Sequence, residues 1–85
     1  YIPVSPHNIC GPIGTVAACH VCAAVPNFQV LEFHHLDNEV WNGLTVEQEL
    51  IQNGHIAVPT RPGLGVSVDE DSAKQAARED LGFFD

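Results

Sequence analysis

An α/β fold assembled from strand–helix units is what this sequence predicts, and three observations predict it. Two short apolar runs, Ile2-Pro3-Val4-Ser5-Pro6 and Phe28-Gln29-Val30-Leu31, flank a stretch from Val16 to Ala24 that is small and apolar all round. That middle stretch suits a helix wedged between a sheet and neighbouring helices. Gly11, Pro12 and Gly14 stand where a loop leads into a helix, and Pro26-Asn27 where a helix stops. The length from one run to the next is that of a single βα repeat, whose two strands lie parallel.

In chain order, the sequence predicts a strand near residues 2–6, a helix near 14–25 and a parallel strand near 29–33. Residues 34–48 show no clear period and hold Asp37-Asn38 and Asn42-Gly43, so they read as a long loop, a length that usually covers something or carries function. Asn53-Gly54 between Leu50-Ile51 and Ile56-Ala57-Val58 predicts a tight hairpin. Residues 59–65 are a proline and glycine linker, and Ser67 or Asp69 caps a last helix from about Glu70 to Arg78. The organisation expected is residues 1–48 as part of a barrel domain and residues 49–85 as a hairpin and helix packing elsewhere.

Size bounds the reading. The chain has 85 residues, whereas a complete eight-stranded βα barrel takes roughly 250, so it supplies a minority of one. The expectation is the inside of a longer protein, since the chain starts Tyr1-Ile2-Pro3. An apolar share of 45% against 16% charged residues is that of a chain that packs. Eleven acidic and three basic side chains give a net charge of -8 with no basic cluster, which argues against nucleic acid and anionic membrane as partners. The acidity is read as a solvated surface in preference to salt adaptation, though Asp69-Glu70-Asp71 and the scarcity of lysine suit the latter. Three cysteines, two of them in the apolar helix, suit a reduced cytoplasmic protein better than a disulfide scaffold. No apolar run reaches membrane-span length.

His7 and Glu32 end the two apolar runs, so a strand–helix–strand unit puts them at the same ends of neighbouring strands. In a barrel of such repeats, that end is where chemistry is done. An imidazole and a carboxyl facing one ligand can divide acid and base work, because histidine titrates near neutrality and a partly buried glutamic acid can hold its proton.

Ser5-Pro6-His7-Asn8, Gly11-Pro12-Ile13-Gly14-Thr15, Pro26-Asn27-Phe28, Leu31-Glu32-Phe33, and Val58-Pro59 followed by Pro62-Gly63-Leu64-Gly65-Val66 are five motifs in register over nearly the whole chain. In that order and spacing they resemble the C-terminal end of the mandelate racemase branch of the enolase superfamily, most closely its sugar-acid dehydratases of the galactonate and gluconate type. The resemblance implies that residues 2–33 are the seventh strand, seventh helix and eighth strand of a modified barrel, and that the rest returns to an N-terminal capping domain. It implies Mg²⁺ held by carboxylates upstream of this segment, with no metal ligand among these 85 residues. It makes His7 an acid or base on one face of the substrate and Glu32 the hydrogen-bond donor to a substrate carboxylate as that becomes an enediolate. Its implied partners are a sugar-acid substrate, the remainder of the same chain and further copies in a homo-oligomer. A racemase or epimerase would use the same parts. A small acidic interaction module that has kept a barrel-derived sequence is the reading from another class.

Other residues are open between two readings. Asn8 orients His7 or caps the loop. His34 and His35 follow Glu32 and, with Trp41, either reach substrate hydroxyls or pack beneath the long loop; contact is favoured for His34 and packing for Trp41. Cys19-His20-Val21-Cys22 has metal-ligand spacing, with His35 as a further ligand, but two thiols on an apolar helix are more often core. His55, beside the hairpin turn, reads as solvated.

Overall fold

A computed structural model describes residues 2–34 and 38–82. Helix α1 spans Pro12–Ala24 and starts with proline at its first position, where the missing N–H costs nothing. Gly11 precedes it without a side-chain cap, and Val25 ends it in extended conformation before Pro26. Thr15, Val16, Cys19 and Cys22 form its buried face, whereas Val21 is exposed. The helix therefore buries one stripe here, although its sequence is apolar all round.

The segments on either side of α1 run parallel, as expected, but they pair through a single bridge, Val4 to Phe28. Val4 N–H donates to Asn27 O at 2.9 Å and Gln29 N–H to Val4 O at 2.9 Å. In regular parallel register the next donor would be the amide of residue 6, and Pro6 has none. The pairing slips by one residue there: Glu32, not Leu31, donates its backbone N–H to Pro6 O, at 3.2 Å. The two strands expected from the sequence are thus extended neighbours with a broken ladder. Ile2, Val30 and Phe33 remain exposed along them, and the buried apolar residues among those described are Val16, Cys19 and Cys22.

The long loop contains a short helix that the sequence did not announce. Helix α2, Glu39–Gly43, is capped by Asn38, whose side-chain oxygen accepts from Val40 N–H and Trp41 N–H. The hairpin follows as predicted: β1, Ile51–Gln52, pairs antiparallel with β2, His55–Ile56. Asn53 and Gly54 both have positive φ, 51° and 72°, the backbone that a two-residue turn with matching twist requires. Helix α3, Glu70–Ala76, is capped by Asp69 rather than Ser67, through an acceptor for Ser72 N–H at 2.9 Å.

Residues 44–46 and 67–69 are tied by an antiparallel bridge between Thr45 and Val68, with Val46 N–H on Ser67 O and Asp69 N–H on Leu44 O. His20 Nε2 lies 2.9 Å from Leu64 O and fastens the outer side of α1 to the turn at residues 62–65. No helix among the described residues is long and apolar enough to cross a membrane.

Candidate active site

The site starts from the slipped pairing. Extended backbone carries residues 32 and 34 on one side, and residue 7 reaches the same edge. There Nδ1 of His7 hydrogen-bonds Oε2 of Glu32, and His34 Nε2 lies 3.0 Å from Oε1. The two imidazoles stand edge to face, with ring centroids 6.2 Å apart. His7, Glu32 and His34 thus converge on one exposed patch, as the sequence predicted for the first two. His34 touches the carboxylate, a contact the sequence reading did not foresee.

Asn8 decides how firmly this patch is held. Its backbone N–H donates to Glu32 Oε2 at 3.1 Å, while its side chain, buried, turns inward. There Nδ2 donates to Thr15 Oγ1 at 3.1 Å, and Oδ1 accepts from Cys10 N–H at 3.3 Å. Thr15 Oγ1 in turn donates to Cys10 O at 3.1 Å. Of the two readings of Asn8, the side chain takes the loop-capping one, and its backbone orients Glu32. Thr15 completes this network and was missed by sequence reasoning. The available signal was a hydroxyl in the first turn of an apolar helix, which needs a partner once buried.

Electrostatically, Glu32 differs from the expected protonated acid. Its carboxyl is held below its ordinary value of 4.5, first by the Asn8 backbone N–H and next by the hydrogen bond from His34, with His7 adding to both. Three donors favour the anion, and the side chain is too exposed for burial to reverse that. In this arrangement Glu32 is an acceptor.

Trp41 is half-buried, and its ring lies over Gly11, where an added Cβ would stand 4.0 Å from it. It shares with His34, Cys10, Thr15 and Phe33 the wall of a cavity of about 360 Å³ that opens beside the patch. Cys19 and Cys22 are buried as free thiols, and burial, with Cys22 next, pushes the Cys19 thiol up. His20 bonds Leu64 O, so the Cys-x-x-Cys pair forms no metal cluster among the described residues; His35 lies outside them. His55 is exposed and its Nδ1 lies 2.8 Å from Asn53 O within the turn.

The donor set at the patch does not fit the magnesium that the family resemblance implies. Magnesium takes oxygen ligands in a near-octahedral shell, and the cluster offers one carboxylate and two imidazoles.

Residues 1–72 match the family model described as enolase C-terminal domain-like. The chain is 45% identical over 85 residues to a D-xylonate dehydratase of Haloferax volcanii, covering all of this chain and 21% of that protein. It is 38% identical over 66 residues to an arabinonate dehydratase of Saccharolobus solfataricus, covering 78% of this chain and 17% of that protein. A solved mandelate racemase/muconate lactonizing enzyme-like protein from Rubrobacter xylanophilus superposes with a TM-score of 0.83 at 47% identity, covering 93% of this chain and 20% of that one. The chain spans about a fifth of the length of these relatives. With a family match over most of its length and a backbone that superposes on an α/β relative, the chain belongs to the enolase C-terminal domain-like family.

Proposed function

We propose that this chain supplies one wall of the active site of a magnesium-dependent sugar-acid dehydratase, and that it has no activity alone. The observation that carries the reading is the meeting of His7 with Glu32 at the edge of two parallel segments, in a chain whose relatives are named as dehydratases of sugar acids. In this reading residues 2–33 are the last βα unit of the barrel, and the remaining strands, the capping domain and further copies in a homo-oligomer cover the apolar residues exposed here. Magnesium belongs to carboxylates outside these residues. The free thiols fit a cytoplasmic protein.

The substrate class is a sugar acid, and the reaction removes the proton next to its carboxylate and then the hydroxyl on the next carbon. His7 Nδ1 is engaged by Glu32, which leaves Nε2 as the atom that exchanges protons with substrate. Nε2 takes the proton next to the carboxylate and, now as Nε2–H, gives it to the departing hydroxyl, so that water leaves and an enol remains, which tautomerises to a 2-keto-3-deoxy acid. Glu32 is anionic in the chain as it stands. A substrate carboxylate gaining enediolate charge against it forms a like-charged pair, and such a pair raises the affinity of one member for a proton. Glu32 then takes a proton from solvent and donates a hydrogen bond to the developing charge. Replacing hydroxide loss by reprotonation would make an epimerase from the same parts, and the likeness to a racemase-like structure keeps that second reading.

The test uses the longer protein. Turnover on a panel of sugar acids that includes D-xylonate and arabinonate should fall by about a hundredfold to ten-thousandfold in His7→Asn, because an amide cannot exchange a proton near neutral pH. Wild-type turnover in that variant would remove His7 from the chemistry, and epimerised acid as sole wild-type product would select the second reading.

A further inference from the structure

We infer that His7, Glu32 and His34 form an open three-ligand site for a divalent transition cation of the zinc class. The potential ligand atoms, one from each residue, all lie within 4.8 Å of one another. Tetrahedral zinc with ligands at about 2.0–2.1 Å places them roughly 3.3 Å apart, so closing around an ion needs movements of at most about 1.5 Å. The side chains have room for that, since all three are exposed. Two imidazoles and one carboxylate are a donor set that borderline cations accept and magnesium does not.

The support behind the ligands points the same way. Glu32 is oriented by the Asn8 backbone N–H, and Asn8 is itself locked to Thr15 and Cys10 in the buried loop. A ligand held by such a partner loses less freedom on binding an ion. The ion replaces the hydrogens that the two imidazoles share with Glu32, and those protons go to solvent. An exposed fourth position is left for water. This inference does not depend on the dehydratase reading, because the ligands converge whether or not the chain takes part in turnover. If both hold, the ion ties up His7 and Glu32 and blocks their acid–base work.

The experiment titrates the longer protein, in excess magnesium, with Zn²⁺ and, separately, Co²⁺. One ion should bind per chain, and histidine ring nitrogen resonances should move for His7 and His34 but not for His20 or His55. His34→Ala should weaken Zn²⁺ binding on the order of tenfold or more, while the exposed His55→Ala should leave it unchanged. The Co²⁺ form should lack a thiolate charge-transfer band. The proposal is overturned by an absence of binding, by affinity that survives His34→Ala, or by a thiolate band placing the ion on the cysteines. Because the ring resonances are read in the wild-type chain, a variant that fails to fold does not rescue the idea.

Discussion

Glu32 and Glu47 are two carboxylates built on one plan and used differently. Each accepts a backbone N–H, Glu32 from Asn8 at 3.1 Å and Glu47 from Ser67 at 2.8 Å, and each meets nitrogen-bearing side chains. For Glu47 that partner is the Arg61 guanidinium, which also donates through Nε and Nη2 to Gly65 O. For Glu32 the partners are the imidazoles of His7 and His34. A guanidinium keeps its charge at every working pH, whereas imidazoles exchange protons near neutrality. The Ser67 backbone N–H, with Arg61 second, pushes the Glu47 carboxyl down to about 2. The Glu47 contact is a staple between residues 47, 61, 65 and 67. In the proposed function the Glu32 contact is the same device opened to proton transfer.

The staple is most vulnerable at its glycine. Gly65 has a φ of 77°, and an added Cβ would stand 2.4 Å from Pro59 Cβ. Gly65→Ala should cost roughly 2–5 kcal/mol, combining a strained backbone with overpacking. Thermal melts would show it, and the hydrogen bonds around Glu32 should survive wherever the chain is folded. A smaller loss is expected at the other region. Asn8→Ala removes the Nδ2 donor to the Thr15 hydroxyl and the Oδ1 acceptor of Cys10 N–H in a buried loop, at about 1–3 kcal/mol. Unlike Gly65→Ala, it should also loosen Glu32, which ring resonances of His7 and His34 would register. Equal effects of both variants on those resonances would erase the distinction between staple and site.

The smallest effect is in pH dependence. Both carboxyls are depressed in the folded chain, so each contributes stability that is present above its ordinary value of 4.5 and lost as pH falls through its folded value. For Glu47 the window runs from 4.5 down to about 2. For Glu32 it lies below 4.5. Carboxyl carbon resonances followed through acid should show both midpoints depressed, and in Arg61→Met the Glu47 midpoint should rise while that of Glu32 stays. A Glu47 midpoint near 4.5 in the wild-type chain would show that the staple is absent in solution.

Much of this arrangement was legible. Proline at the start of α1, Pro26 after its end and Asn53-Gly54 in the hairpin punctuate the sequence through local backbone chemistry, and those elements appear where that chemistry puts them. The regular ladder expected between residues 2–6 and 29–33 did not form, because Pro6 supplies no N–H and a single bridge is what remains. Helix α2 escaped because five residues are too few for a period to show, and only the Asn38 cap marked it. At the site, the length of a strand–helix–strand unit was enough to bring His7 to Glu32. His34 was legible in principle, since residues two apart share a face of an extended segment, but nothing in the sequence told contact with Glu32 from contact with substrate. The inward turn of Asn8 and the part played by Thr15 rest on tertiary hydrogen bonds that no local pattern encodes.

A double-variant cycle on sugar-acid turnover in the longer protein tests whether His7 and Glu32 act as the one acid–base unit we propose. His7→Asn, Glu32→Gln and the two combined are measured against the parent at fixed pH. Residues that act as a unit give grossly non-additive losses, so the combined variant should be no slower than about the worse of the two single variants. Losses that multiply, the combined defect equalling the product of the single ones, would show two independent residues and contradict the account.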